Sequence, residues 1–162
     1  VSNDFTMRIN FSFLLLFLIY SNVFATQTSL YEMRSLYIQA ASSEDACYKL
    51  IKCCNNQSTY TESVFLGYKA CATMIMAKHL INPFRKWSKF SSGKKMLEQA
   101  INKDSANIEL RYLRFTIQTK APSFLGYHNN ISSDKLFLLK GINTSKDIQL
   151  NKLIVDYIAQ SD

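Results

Sequence analysis

The side chains best suited to chemistry in this sequence are a carboxylate, two guanidiniums and an imidazole, namely Glu109, Arg111, Arg114 and His128. A carboxylate or an imidazole can act as a general base, and paired guanidiniums can hold an anionic substrate. No nucleophile elbow, phosphate-binding loop or paired-carboxylate motif accompanies them in the sequence. We therefore predict that the chain is not an enzyme. A hydrolase-like site centred on Glu109 and His128 is the third of three functional hypotheses.

The segment NIELRYLRFTIQT, residues 107–119, carries three of these charged groups and is predicted as a helix. The alternation of a strand would fail at Tyr112-Leu113, whereas a rotation of about 100° per residue sorts the side chains into two apolar faces. Those faces are Ile108, Tyr112 and Phe115 on one side and Leu110, Leu113 and Ile117 on the other. A polar stripe between them consists of Arg111, Arg114 and Gln118. We expect this helix to pack between neighbours on both sides, with its guanidiniums emerging only along the stripe.

Helix signals recur along the whole chain. It has only 2 prolines and 4 glycines, too few for the many turns of a sandwich or barrel. Asn82-Pro83 is typical of an N-cap followed by proline in the first helical position. The third predicted helix is apolar almost all round and should lie at the centre. The sequence predicts an all-α fold of stacked antiparallel helical hairpins, with helices at 30–41, 43–54, 61–81, 83–103, 106–120, 131–140 and 145–160.

One of these helices carries a tetratricopeptide-like (TPR-like) pattern. Gly93, Leu97 and Ala100 follow one another at spacings of four and three residues, and a loop comes after them. Small side chains at this spacing admit a neighbouring helix, and the large one fills the gap between the two. Ser105 stands where the repeat usually has proline, and no second copy occurs at a period of about 34 residues. The pattern therefore predicts a TPR-like hairpin rather than a regular repeat array.

Three segments together resemble a family of small exported flavobacterial proteins with TPR-like helices and no assigned activity. The segments are LGYKACATMIMAKHLINPF, GKKMLEQAINKDSANIELRYLRFTIQTKAPSFLGY and DKLFLL. The resemblance extends from about Leu36 to Ile158, and the matching positions are Gly67-Tyr68, Asn82-Pro83-Phe84, Glu109, Arg111, Leu113-Arg114 and Pro122 to Tyr127. It implies a helical fold and export, and it implies no mechanism.

The N-terminal residues are typical of a signal peptide. Arg8 precedes a short apolar run from Phe11 to Tyr20, and Val23 and Ala25 are the small residues expected before a cleavage site. An uncleaved anchor is the alternative, but a membrane-spanning helix needs about 20 apolar residues and this run is shorter. We predict an upstream extension plus cleaved signal peptide over 1–25, and a single periplasmic or secreted domain over 26–162 without a transmembrane span.

A basic stretch without any acidic residue follows in the span 69–95, in a chain of net charge +7. Its aromatic residues, Phe84, Trp87 and Phe90, alternate with cations, and such a surface can bind anionic lipid headgroups, lipopolysaccharide, peptidoglycan or an acidic partner. A solvated helix face beside an aromatic core stripe is the alternative. Predicted export argues against nucleic acid as the partner. The basic surface comprises Arg85, Lys86, Lys89, Lys94 and Lys95.

The cysteines Cys47, Cys53, Cys54 and Cys71 show no C-x-x-C spacing, so we predict no metal site and no cofactor. Export permits disulfides. Cys47 and Cys71 lie at similar distances from the expected turn near Ser58, which makes them the candidate pair. The alternative is that all four are buried free thiols that pack as small apolar side chains.

The first functional hypothesis is a non-enzymatic periplasmic module that binds a protein or peptide. Stacked helical hairpins present concave surfaces for such partners. The predicted groove is bordered by Arg111, Arg114 and Gln118, with Phe124, Leu125 and Tyr127 on its rim. The second hypothesis is a peripheral binder of the anionic envelope surface that uses the basic span.

Overall fold

The computed structural model describes residues 30–55 and 62–161 of the chain. These residues form seven α-helices and one short 3-10 turn, and no strand occurs among them. Each predicted helix is present, with ends within three residues of the predicted ones, and the all-α prediction is confirmed. The helices are α1 (residues 30–40), α2 (Glu44–Asn55), α3 (Glu62–His79), α4 (Pro83–Lys103), α5 (Ile108–Lys120), α6 (Ile131–Gly141) and α7 (Ile148–Ser161), with the 3-10 turn at Ser123–Leu125.

Two predicted features lie outside the described residues. One is the signal peptide with its cleavage after Ala25, and the other is the turn near Ser58. Within the described ranges, no helix combines the length and apolar character that crossing a membrane requires.

Polar side chains determine where the helices begin. The side chain of Asn82 accepts hydrogen bonds from the backbone N–H groups of Phe84 and Arg85 at 2.9 and 3.2 Å, as the Asn-Pro pair predicts. Asn107 caps α5 in the same way, so that this helix begins two residues later than predicted. Asp147 accepts from the N–H of Leu150 at 2.9 Å, which explains why α7 begins after Asp147 rather than after Thr144.

Helix α3 lies at the centre and packs against α2, α4 and α5. Gly93 of α4 lies close against α3, because a Cβ atom at that position would come within 2.6 Å of the carbonyl oxygen of Ala70 on α3. Leu97 and Ala100 are buried with it. The small–large–small spacing on α4 thus serves the tight helix contact that it predicts, and this packing is compatible with a stack of hairpins.

Helix α5 forms a second central element. It packs against α3, α4, α6 and α7, and nine of its 13 residues are buried. The prediction that this helix is held from two sides is confirmed. The buried residues include every member of both apolar faces except half-buried Ile108, and they also include Glu109, Thr116, Arg114 and Gln118. The polar stripe therefore lies inside the fold along most of its length.

Candidate functional site

A buried group of side chains, the Arg114 cluster, joins α4, α5, α6 and the loop between α5 and α6; it consists of Arg114, Asp134, Glu98, Tyr127 and Arg111. Arg114 donates to both oxygens of Asp134 at 2.6 and 2.7 Å and to Glu98 Oε2 at 2.9 Å. The hydroxyl of Tyr127 donates to Glu98 Oε1 at 2.5 Å. Burial alone would lower the pKa of Arg114, but Asp134 and Glu98 outweigh burial and raise that pKa. Arg114 is therefore a charged, fully paired internal group.

The predicted polar border of a ligand groove needs correction. Arg114 and Tyr127 are buried, and Gln118 is 0% exposed and exchanges hydrogen bonds with Asn130. Arg111 is partly exposed, but its guanidinium donates to Asp134 and to the carbonyl oxygen of Ser105. The same guanidinium lies 5.1 Å from the ring centroid of Phe137. These donors are occupied because α6 packs onto the stripe, so the stripe joins helices and does not face an open groove.

A second buried ionic group, the Arg34 cluster, fastens α1 to α5 and to the start of α7; it consists of Arg34, Glu109, Tyr68, Asp147 and Gln149. Arg34 donates to both oxygens of Glu109 at 2.8 and 2.9 Å and to Asp147 at 2.6 Å. The hydroxyl of Tyr68 donates to Glu109 at 2.5 Å. Burial alone would lower the pKa of Arg34, but Glu109 and Asp147 raise it. Burial raises the pKa of Tyr68, and Glu109 adds to that effect.

Arg34 is not among the residues predicted from the sequence, although its position in α1 indicates burial. Arg34 occupies the position four residues after Leu30 and three before Tyr37, within the apolar stripe of α1. A charged residue at that register is expected to be buried and paired. The sequence could have shown the burial of Arg34, but not the identity of its partners.

Glu109 and His128 do not share a site. Glu109 is buried near the start of α5, with its oxygens occupied by Arg34 and Tyr68. His128 Nε2 lies 2.9 Å from the carbonyl oxygen of Ala121, the residue that follows the end of α5. Twelve residues of helix separate Glu109 from Ala121, about 18 Å at 1.5 Å per residue. A general base and an anion clamp therefore do not converge here, and the absence of enzymatic activity stays a prediction.

An open apolar groove of about 850 Å³ lies between the α1–α2 connection, α3, the first turns of α4, and the end of α5 with the 3-10 turn. Three lysines and no acidic residue occur among the residues that line it. Phe124 and Leu125, which were predicted on the rim of the groove bordered by the arginines, line this different groove instead. The lining, called the apolar groove below, consists of Ala41, Met74, Ile75, Ala77, Lys78, Pro83, Lys86, Trp87, Phe90, Ile117, Lys120, Ala121, Pro122, Phe124 and Leu125.

Large aromatic side chains beside this groove are exposed. Phe84 is 84%, Phe124 80% and Trp87 57% exposed, whereas Phe90 is buried. Every residue from 81 to 89 is exposed, which includes the cations Arg85, Lys86 and Lys89. The alternative interpretation as an aromatic core stripe is therefore wrong for Phe84 and Trp87, because both side chains are exposed and only Phe90 reaches the core.

The lysines of the groove differ in their contacts. Lys78 Nζ donates to the carbonyl oxygen of Ala41 at 2.9 Å, and Lys120 Nζ lies 5.9 Å from the ring centroid of Tyr157. Lys86 is exposed on α4. Of the other predicted surface cations, Lys95 is exposed, whereas Lys94 is half-buried with its Nζ 4.9 Å from the ring of Tyr127. Only part of the predicted basic surface therefore faces the groove.

The four cysteines are free thiols. Cys47 packs with Ala40 and Met76 in a small cluster, whereas Cys71 belongs to the main core. The candidate pair Cys47–Cys71 is therefore not joined, since the two side chains are buried in different places. Burial raises the pKa of Cys47 to about 11 and that of Cys54 to about 12. Within the described residues, no group of histidine, cysteine and carboxylate side chains has the arrangement to hold a metal ion.

Comparisons with models of protein families, with curated proteins and with solved structures give no match for this chain. The resemblance to exported flavobacterial TPR-like proteins therefore stays a prediction. The helical architecture does not depend on it, because the helices and their packing are defined by the coordinates themselves.

Proposed function

We propose that this protein is an exported, non-enzymatic binding module that holds a protein or peptide segment in the apolar groove. The observation that carries the proposal is the exposure of Trp87 and Phe124 on either side of an uncovered apolar surface. A contiguous apolar surface of this kind, rimmed by charged side chains, is typical of an interaction site. Large aromatic side chains are also the residues that contribute most to binding at interfaces.

Binding is favoured over catalysis because of where the polar groups lie. The guanidiniums of Arg34 and Arg114 are buried and paired with carboxylates, of which Glu109 and Asp134 are buried and Glu98 and Asp147 are partly exposed. These groups therefore hold helices together. The groove, in contrast, offers apolar side chains and lysines. Nothing in this lining resembles a nucleophile activated by a base. The groove can therefore recognise a ligand by shape, apolar contact and charge.

The proposal can be tested with a displayed library of random peptides, selected against the wild-type protein and against Phe124→Asp. Trp87 is the only tryptophan of the chain, so its fluorescence reports directly on peptides that enter the groove. We expect selected peptides to change this fluorescence and to lose binding in Phe124→Asp. Ile148→Asp is the matched control, because Ile148 is 83% exposed but does not line the groove.

Two results would count against the proposal. The first is a selection that yields no peptide able to bind the wild type, and the second is equal binding of the selected peptides to Phe124→Asp and to the wild type. Circular dichroism on both aspartate variants separates lost binding from lost folding. Since both sites are exposed, substitution there should leave the helix content unchanged.

A second candidate function, binding to an anionic envelope surface, is favoured by the exposed residues 81–89. In this stretch Ile81, Phe84 and Trp87 alternate with Arg85, Lys86 and Lys89. Aromatic and basic side chains together bind the interface of an anionic bilayer. The test is sedimentation with vesicles that contain anionic lipid. Binding that fades as salt rises and is lost in Lys86→Glu/Lys89→Glu would support this function, and binding to neutral vesicles alone would contradict it.

A further inference from the structure

We infer that the occupant of the apolar groove is an acidic amphipathic helix, an inference that rests on the function proposed above. The protein offers no sheet edge among its described residues, so an extended peptide cannot bind here by adding a strand. The remaining common modes place either an amphipathic helix or a polyproline segment in a groove. The lining of the groove distinguishes between these two modes.

The hydrogen-bonding needs of the ligand backbone favour a helical ligand over an extended one. An extended segment brings its own N–H and C=O groups into contact with the lining, and each needs a replacement for its hydrogen bond to water. The lining offers few polar partners to such a backbone: its side chains supply the ammonium groups of Lys78, Lys86 and Lys120 and the indole N–H of Trp87 as donors, and no strong acceptor. A helix satisfies its own backbone groups and presents only side chains. Apolar anchors at positions i, i+3, i+4 and i+7 would then enter the groove.

The charges of the rim specify an acidic ligand. All three charged side chains of the lining are lysines, and the chain contains no acidic residue between Ser63 and Leu97. Lysine stems can cover the apolar flank of a bound helix while their ammonium groups reach its polar face. Aspartate and glutamate residues beside the apolar stripe would complement them, whereas lysine or arginine residues there would be repelled.

The experiment uses synthetic capped peptides about four turns long. The first carries an apolar stripe at i, i+3, i+4 and i+7 with glutamates on its flanks. A second has the same composition with the stripe redistributed, a third has lysines in place of the glutamates, and a fourth has prolines that prevent a helix. Fluorescence of Trp87 measures binding, and far-ultraviolet circular dichroism measures the helix formed on binding.

We expect the first peptide to bind the full-length protein at least about tenfold more tightly than each of the other three, and to gain helix content. Lys86→Glu should weaken the first peptide about tenfold and strengthen the lysine peptide. Lys95→Glu is the matched control: it changes the charge equally, but Lys95 follows Lys86 by nine residues, which places it about 180° around α4 and about 14 Å along it. Its effect should be small.

Several results would overturn the inference. The proline peptide or the redistributed peptide could bind as well as the first. Lys95→Glu could weaken binding as much as Lys86→Glu, which would indicate diffuse attraction. The protein could bind anionic vesicles only when Phe124 is intact and bind none of the peptides, which would indicate that the groove binds a lipid surface. If peptides from the library bind in the groove but are extended or basic, the inference fails and the proposed function stands. If no peptide of any kind enters the groove, both fail.

Discussion

Replacement of Arg34 by methionine should destabilise the fold strongly, because Arg34 fastens α1 to two other parts of the molecule. Its guanidinium donates five hydrogen bonds, to Glu109, Asp147 and Gln149. Methionine preserves much of the apolar bulk of the side chain, so little cavity forms. The carboxylate of Glu109 remains buried but loses Arg34 as a partner. Among the described residues, only Tyr68 then donates a hydrogen bond to it.

The expected loss in the free energy of unfolding follows from the unpaired, buried carboxylate of Glu109. Removal of one partner from a buried ion pair costs about 3–5 kcal/mol. A single domain is stable by only about 5–15 kcal/mol, so Arg34→Met removes a large share of the total. With a urea dependence of about 1–3 kcal/mol per molar, the midpoint of unfolding should fall by at least about 1 M.

Urea titrations followed by circular dichroism give the measurement. Lys49→Met is the control, because Lys49 and Asp45 form an exposed pair at 2.6 Å that should contribute little. The double variant Arg34→Met/Glu109→Gln should be more stable than Arg34→Met, since the uncompensated charge is gone. A loss below about 1 kcal/mol for Arg34→Met, as at a surface pair, would refute the description of the Arg34–Glu109 pair as buried.

Three further predictions concern packing, acid stability and the thiols. Gly93→Ala should destabilise by about 1–3 kcal/mol, because its Cβ would meet the backbone of Ala70, whereas Gly67→Ala meets only the ends of leucine side chains and should cost less in urea titrations. Burial would raise the pKa of Asp147, but Arg34 and backbone N–H groups outweigh burial and lower that pKa. The ionised carboxylate therefore stabilises the fold at pH values above the ordinary pKa of 3.8, and this stabilisation is lost as the pH falls below 3.8. Asp147→Asn should therefore show a flatter acid limb in unfolding titrations, and an unchanged acid limb would refute this pairing. At about pH 8, iodoacetamide should label half-buried Cys53 first in the native protein. It should label Cys47, Cys54 and Cys71 only on unfolding, because these three thiols are buried.

Local patterns predicted the helices well, because caps and periodicity act over a few residues. Asn82 and Asn107 show this, as each caps a helix within two residues of the expected start. The two-sided burial of α5 was predictable for the same reason, since two apolar faces on one helix require two sets of neighbours.

The candidate site was less predictable because its residues meet only in the tertiary structure. The partners Arg34 and Asp147 are 113 residues apart, and Arg114 reaches Asp134 across 20. Periodicity could place Arg114 on a polar stripe, but it could not show that α6 covers that stripe. Equally, the spacing of Phe84 and Trp87 is the same for a buried and an uncovered face. Their exposure depends on which neighbouring segments cover the first turns of α4, and no local pattern contains that information.

The most direct test of the binding proposal is a map of backbone amide chemical shifts during titration with the acidic amphipathic peptide. We predict that the shifts concentrate at residues 81–90 and 120–125, which border the apolar groove, and that Trp87 shows the largest changes. Amides beside Asp134 should change little. Chemical-shift changes centred instead on Arg111 and Phe137, with the groove unaffected, would contradict the proposal. They would indicate that the ligand binds at the polar stripe of α5.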